Sequence, residues 1–90
     1  MLKPVYSKRF DKDIKRIIRQ GKNVEKLKKI IHMLIYQEKL DERYKNHPLK
    51  GDYKDCWDCH IEPDWVLIYR IEGEFIQFIR TGSHANLFSK

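Results

Sequence analysis

Trp65-Val66-Leu67-Ile68-Tyr69-Arg70-Ile71 is the stretch that decides the fold. It is apolar at odd and even positions alike, so a strand here would bury both of its faces and belongs at the centre of a sheet. The segments beside it are its natural partners. Lys54–Ile61 alternates, with Trp57, Cys59 and Ile61 on one face and Cys56, Asp58 and His60 on the other. Phe75–Arg80 follows a tight turn at Glu72-Gly73-Glu74, and Glu62-Pro63 makes the preceding turn.

Upstream the period changes from two to about 3.6. Phe10, Ile14, Ile17 and Ile18 form one helical stripe after Ser7, a good N-cap, and the helix ends near Gly21. Asn23 caps a second helix with the stripe Val24, Leu27, Ile30, Ile31, Leu34 and Ile35. Leu2–Tyr6, with Pro4, suits an edge strand. Leu40–Tyr53 has no periodicity and carries Asp41, Asn46, Pro48, Gly51 and Asp52. A loop that long in a small domain is suspect as functional. The expectation is an α+β fold in the order β-α-α-β-β-β, one domain over residues 1–90, with two N-terminal helices on a small, mainly antiparallel sheet.

At 90 residues and 41% hydrophobic content the chain has material for one modest core but not for two. No apolar run approaches the ~18 residues of a membrane span. The basic residues Lys3, Lys8 and Arg9 precede no apolar segment, so no secretory signal is expected and the default compartment is the cytoplasm. The net charge of +6 is unevenly divided: residues 1–54 hold 16 Lys+Arg against 7 Asp+Glu, and residues 55–90 hold 3 against 6. A basic half on so small a domain fits a polyanion partner, although a solvated helix surface has the same composition.

Cys56-Trp57-Asp58-Cys59-His60 spells the C-x-x-C-H of haem attachment and the C-x-x-C of redox or zinc sites. The setting is wrong for each. Residues three apart in a strand point to opposite faces, and no second ligand pair lies at matching spacing. No metal or cofactor is expected, and Cys59 reads as a small core residue.

The four histidines say more. His32 lies off the apolar stripe of its helix and reads as a surface residue. His47 is in the long loop, His60 near the end of a strand, and His84 just after the last strand, so these three can meet in one cleft. Imidazoles suit RNA cleavage, in which a base takes the ribose 2′-OH proton and an acid protonates the leaving 5′-oxygen, because a pKa of about 6.5 makes both forms available. Arg80 can supply fixed positive charge, Asp64 can orient an imidazole or act as a base, and Trp65 and Phe88 can stack on bases. For Trp65 and Phe88 core packing is an equal alternative, and for Asp64 a turn role.

Asn46-His47-Pro48-Leu49-Lys50-Gly51, His60-Ile61-Glu62-Pro63-Asp64-Trp65-Val66-Leu67-Ile68-Tyr69 and Arg80-Thr81-Gly82-Ser83-His84-Ala85-Asn86-Leu87-Phe88 carry a further signal. In these stretches the chain resembles the RelE/ParE superfamily of bacterial type II toxins, and most closely its YafQ branch. The resemblance implies an mRNA-cleaving endoribonuclease that needs no metal, works at the ribosome and is held inactive by a cognate antitoxin. It implies catalytic roles for His47, His60, Asp64 and His84, with His84 as general acid. It implies substrate contacts from Trp65, Phe88 and a phosphate-binding Arg80. The Cys56–Cys59 segment and Ser83, where the family has threonine, depart from the pattern without removing a catalytic group. An acidic or amphipathic antitoxin segment is expected over the basic helices or the cleft. A ParE-like toxin acting by protein binding, or a plain RNA-binding module, would share the fold without the cleavage.

Overall fold

The computed structural model describes residues 1–88. Strand β1 (Lys3–Tyr6) leads into helix α1 (Lys8–Arg19) and helix α2 (Val24–Ile35). A loop with two 3-10 turns then carries the two-residue strand β2 (His47–Pro48). Strands β3 (Trp57–Glu62), β4 (Trp65–Glu72) and β5 (Phe75–Gly82) follow, and the short helix α3 spans His84–Phe88. The sheet order is β1-β5-β4-β3-β2, with every pair antiparallel except β1 on β5. β4 is central, as its two apolar faces require, and Trp65–Tyr69 are all buried.

The expected elements are all present, and two more join them. β2 is too short and too Pro-bound to show a period. α3 is a little over one turn long, so its only local signal is Ser83, whose Oγ accepts from the Asn86 N–H at 3.1 Å. Both additions lie beside the face of the sheet turned away from α1 and α2. There Cys56, Val66, Ile68 and Leu87 form a small second cluster. The principal core lies under the helices, where Phe10, Ile17, Leu27, Ile30 and Leu34 meet Cys59, Leu67, Ile76 and Phe78. The single core expected from composition is therefore accompanied by a satellite, because a strand apolar on both faces needs cover on both.

Two side chains fall off their expected faces. Ile18 is 55% exposed, and Asp13 is buried to 2% in the α1 interface instead. The reason is that α1 also runs along the edge of β5 beyond the end of β1, where backbone groups need polar partners. Trp57, at the outer end of β3, stays exposed. Cys56 and Cys59 belong to different clusters on the two faces, and both are free thiols.

Ser7 joins helix to sheet. Its Oγ accepts from the Phe10 N–H at 2.9 Å, capping α1, and donates to the Ile79 carbonyl at 2.8 Å. Ser7→Ala removes both bonds and should cost about 1–2 kcal/mol of unfolding free energy. A urea titration that showed no change would mean that water replaces them.

Candidate active site

The loop, β3, the β3–β4 turn and α3 bring the three expected histidines together. Ring centroids lie 6.2 Å apart for His47 and His60, and 5.2 Å for His60 and His84. Phe88 continues the row at 5.9 Å from His84. His32 stays out of it, exposed on α2 beside Tyr36. Asp64, on the turn, accepts two bonds at one oxygen: the His84 backbone N–H at 3.1 Å and His84 Nδ1 at 2.9 Å. The side-chain bond to His84 is the chief reason that the Asp64 carboxyl sits below its ordinary range. With its Nδ1 proton on Asp64, His84 presents Nε2 outward.

His47 is fixed by its own loop. Its Nδ1 lies 2.7 Å from the Lys45 carbonyl and 3.0 Å from Asp58 Oδ1. A carbonyl only accepts, so the single Nδ1 proton of the neutral ring points at Lys45 and Nε2 is left with a lone pair. Lys45 adopts a left-handed conformation with φ 47° to aim that carbonyl. The neighbouring Asn46 accepts from the buried Tyr69 hydroxyl at 2.6 Å, which ties the loop to β4.

Asp58 is the residue that sequence reasoning missed. It is 2% exposed, and its Oδ1 touches His47 without a hydrogen bond among the described residues. Burial pushes its carboxyl up, while the charges available to His47, His60 and His84 pull it down. Burial likewise pushes His60 below its ordinary value, against the upward pull of Asp58. A signal did exist: Asp58 and His60 are two apart in a strand and must share a face. The ligand atoms of His47, Asp58 and His60 lie within 4.8 Å of one another, close enough to hold a cation together. The Cys59 thiol, pushed up to about 12 by burial, is inert.

The three remaining expected residues have different standings. Phe88 is 40% exposed and packs edge-on against Tyr53, so its ring has a face for a base. Trp65 is fully buried, and its Nε1–H donates to Thr81 Oγ1 at 2.9 Å; the stacking surface expected of it is a core contact instead. Arg80 is 8% exposed and donates from Nε and Nη2 to Asp13 at 2.7 and 3.1 Å. It is a fixed cation rather than a mobile one. Beside His60 and Asp64 opens a groove of about 790 Å³ whose walls include Lys22, Lys26, Lys29, Arg43 and Lys45.

Known proteins share this fold. A family described as the bacterial toxin of a type II toxin-antitoxin system, YafQ, matches residues 2–89. The chain belongs to the YafQ family. The mRNA interferase toxin YafQ of Escherichia coli (strain K12) is 43% identical over 84 residues, covering 92% of this chain and 91% of the relative. The E. coli DinJ-YafQ complex contains a chain with TM-score 0.90 and 40% identity, covering 98% and 99% of the two. A metal-bound toxin from Helicobacter pylori gives TM-score 0.91 at 40% identity, covering 98% and 100%. The expected α+β fold and family are thereby established, and no described helix is long and apolar enough to cross a membrane.

The electrostatics give a direct check. The NMR titration of the His60 ring should have its midpoint below the ordinary 6.5, and Asp58→Asn should lower it further by removing the one upward influence. Because the folded state binds this proton more weakly, the His60 contribution to stability is present above about pH 6.5 and is lost as pH falls through the folded midpoint. An unchanged midpoint in Asp58→Asn would mean that Asp58 is neutral in the native protein.

Proposed function

We propose that this YafQ-family toxin is an endoribonuclease that cuts mRNA without a metal ion. The row of His47, His60 and His84, with a carboxylate at each end, carries the reading. In-line attack needs a base at the 2′-OH and an acid at the 5′-oxygen on opposite sides of phosphorus. The outer two rings of the row suit those positions. His47 Nε2, unprotonated, takes the 2′-OH proton. The 2′-oxygen bonds to phosphorus, the P–O5′ bond breaks, and His84 Nε2–H protonates the departing 5′-oxygen. Asp64 stabilises the His84 imidazolium that serves as the acid. His60, kept neutral by burial, donates a hydrogen bond to a non-bridging oxygen, and Arg80 offsets the charge that develops there. Phe88 stacks on a neighbouring base. Trp65 contributes by holding Thr81, next to Arg80, rather than by touching RNA.

The name mRNA interferase on the E. coli relative supports the substrate, and the DinJ-YafQ complex supports a cognate antitoxin for this chain. The basic α1–α2 surface and groove give an acidic antitoxin segment, or ribosomal RNA, a complementary surface. The metal-bound state of the H. pylori toxin fits the His47, Asp58 and His60 cluster here. A cation on these groups would occupy the proposed base, so copper or zinc should inhibit cleavage.

Purified protein should cut single-stranded RNA, or mRNA on ribosomes, in EDTA and leave 2′,3′-cyclic phosphate and 5′-hydroxyl ends. His84→Ala should lose roughly two to four orders of magnitude in rate. His47→Ala should be slowed on the same scale. Products with 3′-hydroxyl ends, or a requirement for metal, would exclude this chemistry. Gyrase damage on expression, with mRNA intact, would point to a toxin acting by binding alone.

A further inference from the structure

β1 ends at Tyr6 against Phe78, but β5 runs on to Gly82. The edge of β5 at Ile79–Thr81 therefore has no strand neighbour, and side chains around α1 take the place of one. Ser7 Oγ donates to the Ile79 carbonyl at 2.8 Å. Arg16 Nη2 donates to the Thr81 carbonyl at 3.0 Å. Asp13 Oδ2 accepts from the Thr81 N–H at 3.0 Å.

Asp13 does more than this edge requires. It is 2% exposed and clamps Arg80 with both oxygens, at 2.7 Å to Nε and 3.1 Å to Nη2. Arg16 Nη1 closes on Asp13 Oδ1 at 2.9 Å. A neutral amide oxygen would satisfy the Thr81 N–H. It takes a carboxylate to accept two parallel guanidinium bonds and so fix the plane of Arg80. The same contacts reach towards His84. Thr81 and Gly82 precede the Ser83-His84 start of α3, and a Cβ on Gly82 would lie 2.5 Å from Arg16 Nη2. The glycine is what lets Arg16 pass.

We propose that Asp13, on the first helix and remote in sequence from every histidine of the site, is a positioning residue for RNA cleavage. It sets the plane of the Arg80 guanidinium and anchors the end of β5 from which His84 is presented. The proposal rests on the reading of Arg80 as the cation that meets the phosphate. Through it the basic helical half has a part in the chemistry beyond attracting RNA.

A double-mutant cycle on a single-stranded RNA substrate, with kcat and KM measured separately, tests it. Asp13→Asn should lower kcat by about 10- to 100-fold and leave KM within about threefold, as expected when a bound group is misaligned. In an Arg80→Ala background the same change should cost less than about twofold. A loss of equal size in both backgrounds would make Asp13 merely structural and overturn the proposal, as would an unchanged kcat for Asp13→Asn. If circular dichroism shows Asp13→Asn unfolded, Arg16→Gln takes its place: a loss of about 3- to 10-fold should vanish in the Arg80→Ala background, and its persistence or absence would overturn the proposal. Full activity in Arg80→Ala alone would remove the reading of Arg80, whereas an inactive Arg80→Ala beside a fully active Asp13→Asn would remove only the role of Asp13.

Discussion

The double-sided burial of β4 governs the rest of this molecule. Leu67 and Tyr69 face the helices and would suffice for an ordinary two-layer domain. Val66 and Ile68 face the other way, and leaving them in water would forfeit roughly 1.5–3 kcal/mol each. They are covered by Cys56 and Leu87, with Leu49, Tyr53 and Ile79 packed around them. The cover is drawn from the loop and from α3, the two segments that carry His47 and His84. The histidines thus meet over β3 because an apolar strand face had to be closed there. Building the second cluster and assembling the candidate site are one event.

That closure also explains the balance of charge within the site. Asp58 and His60 are on the covered side of β3, where lost hydration disfavours ionisation of both. Each lessens the penalty of the other, since a carboxylate favours an imidazolium nearby and the reverse. Burial still dominates for both, so His60 is held towards its neutral form between the other two rings. His84 is served differently. Its carboxylate partner, Asp64, is in solvent on a turn and pairs with it through direct hydrogen bonds. One histidine kept neutral by burial and one provided with a carboxylate is the division of labour that acid-base chemistry at a single phosphate needs.

Strands β1, β3, β4 and β5 and both long helices were legible, whereas the two-residue β2 is too short to show a period. The central position of β4 followed from its lack of alternation. His47, His60, Asp64, His84 and Phe88 were legible as residues that chemistry would choose, on loops and strand ends. What the sequence hid was tertiary. Trp65 is one residue past a turn beside two site residues, and only the fold shows that its indole N–H is engaged by Thr81. Asp13 occupies a place in the α1 interface where a purely apolar stripe would put a hydrophobic side chain. No local pattern distinguishes a buried acid that anchors a strand edge from a surface one on the next turn. Its partners, Arg80 and Thr81, are 67 and 68 residues away.

The division of charge between the two halves takes on a different meaning with this geometry. Read along the chain, it separates a basic docking surface from a catalytic half. In the folded molecule the halves interlock at their exceptions. Asp13 is an acid buried within the basic segment, and Arg80 is a base buried at the end of the acidic one. Removing Asp13 would strip Arg80 and Arg16 of the carboxylate they share, a larger penalty than the pair contributes when intact. Such a pair is weak evidence for added stability, but it admits only one register between α1 and β5. A slip of the helix by a single turn would move Asp13 by about 5.4 Å and break every bond it makes to β5. The N-terminal helix therefore specifies, through one carboxylate, where the last strand ends and hence where α3 presents His84.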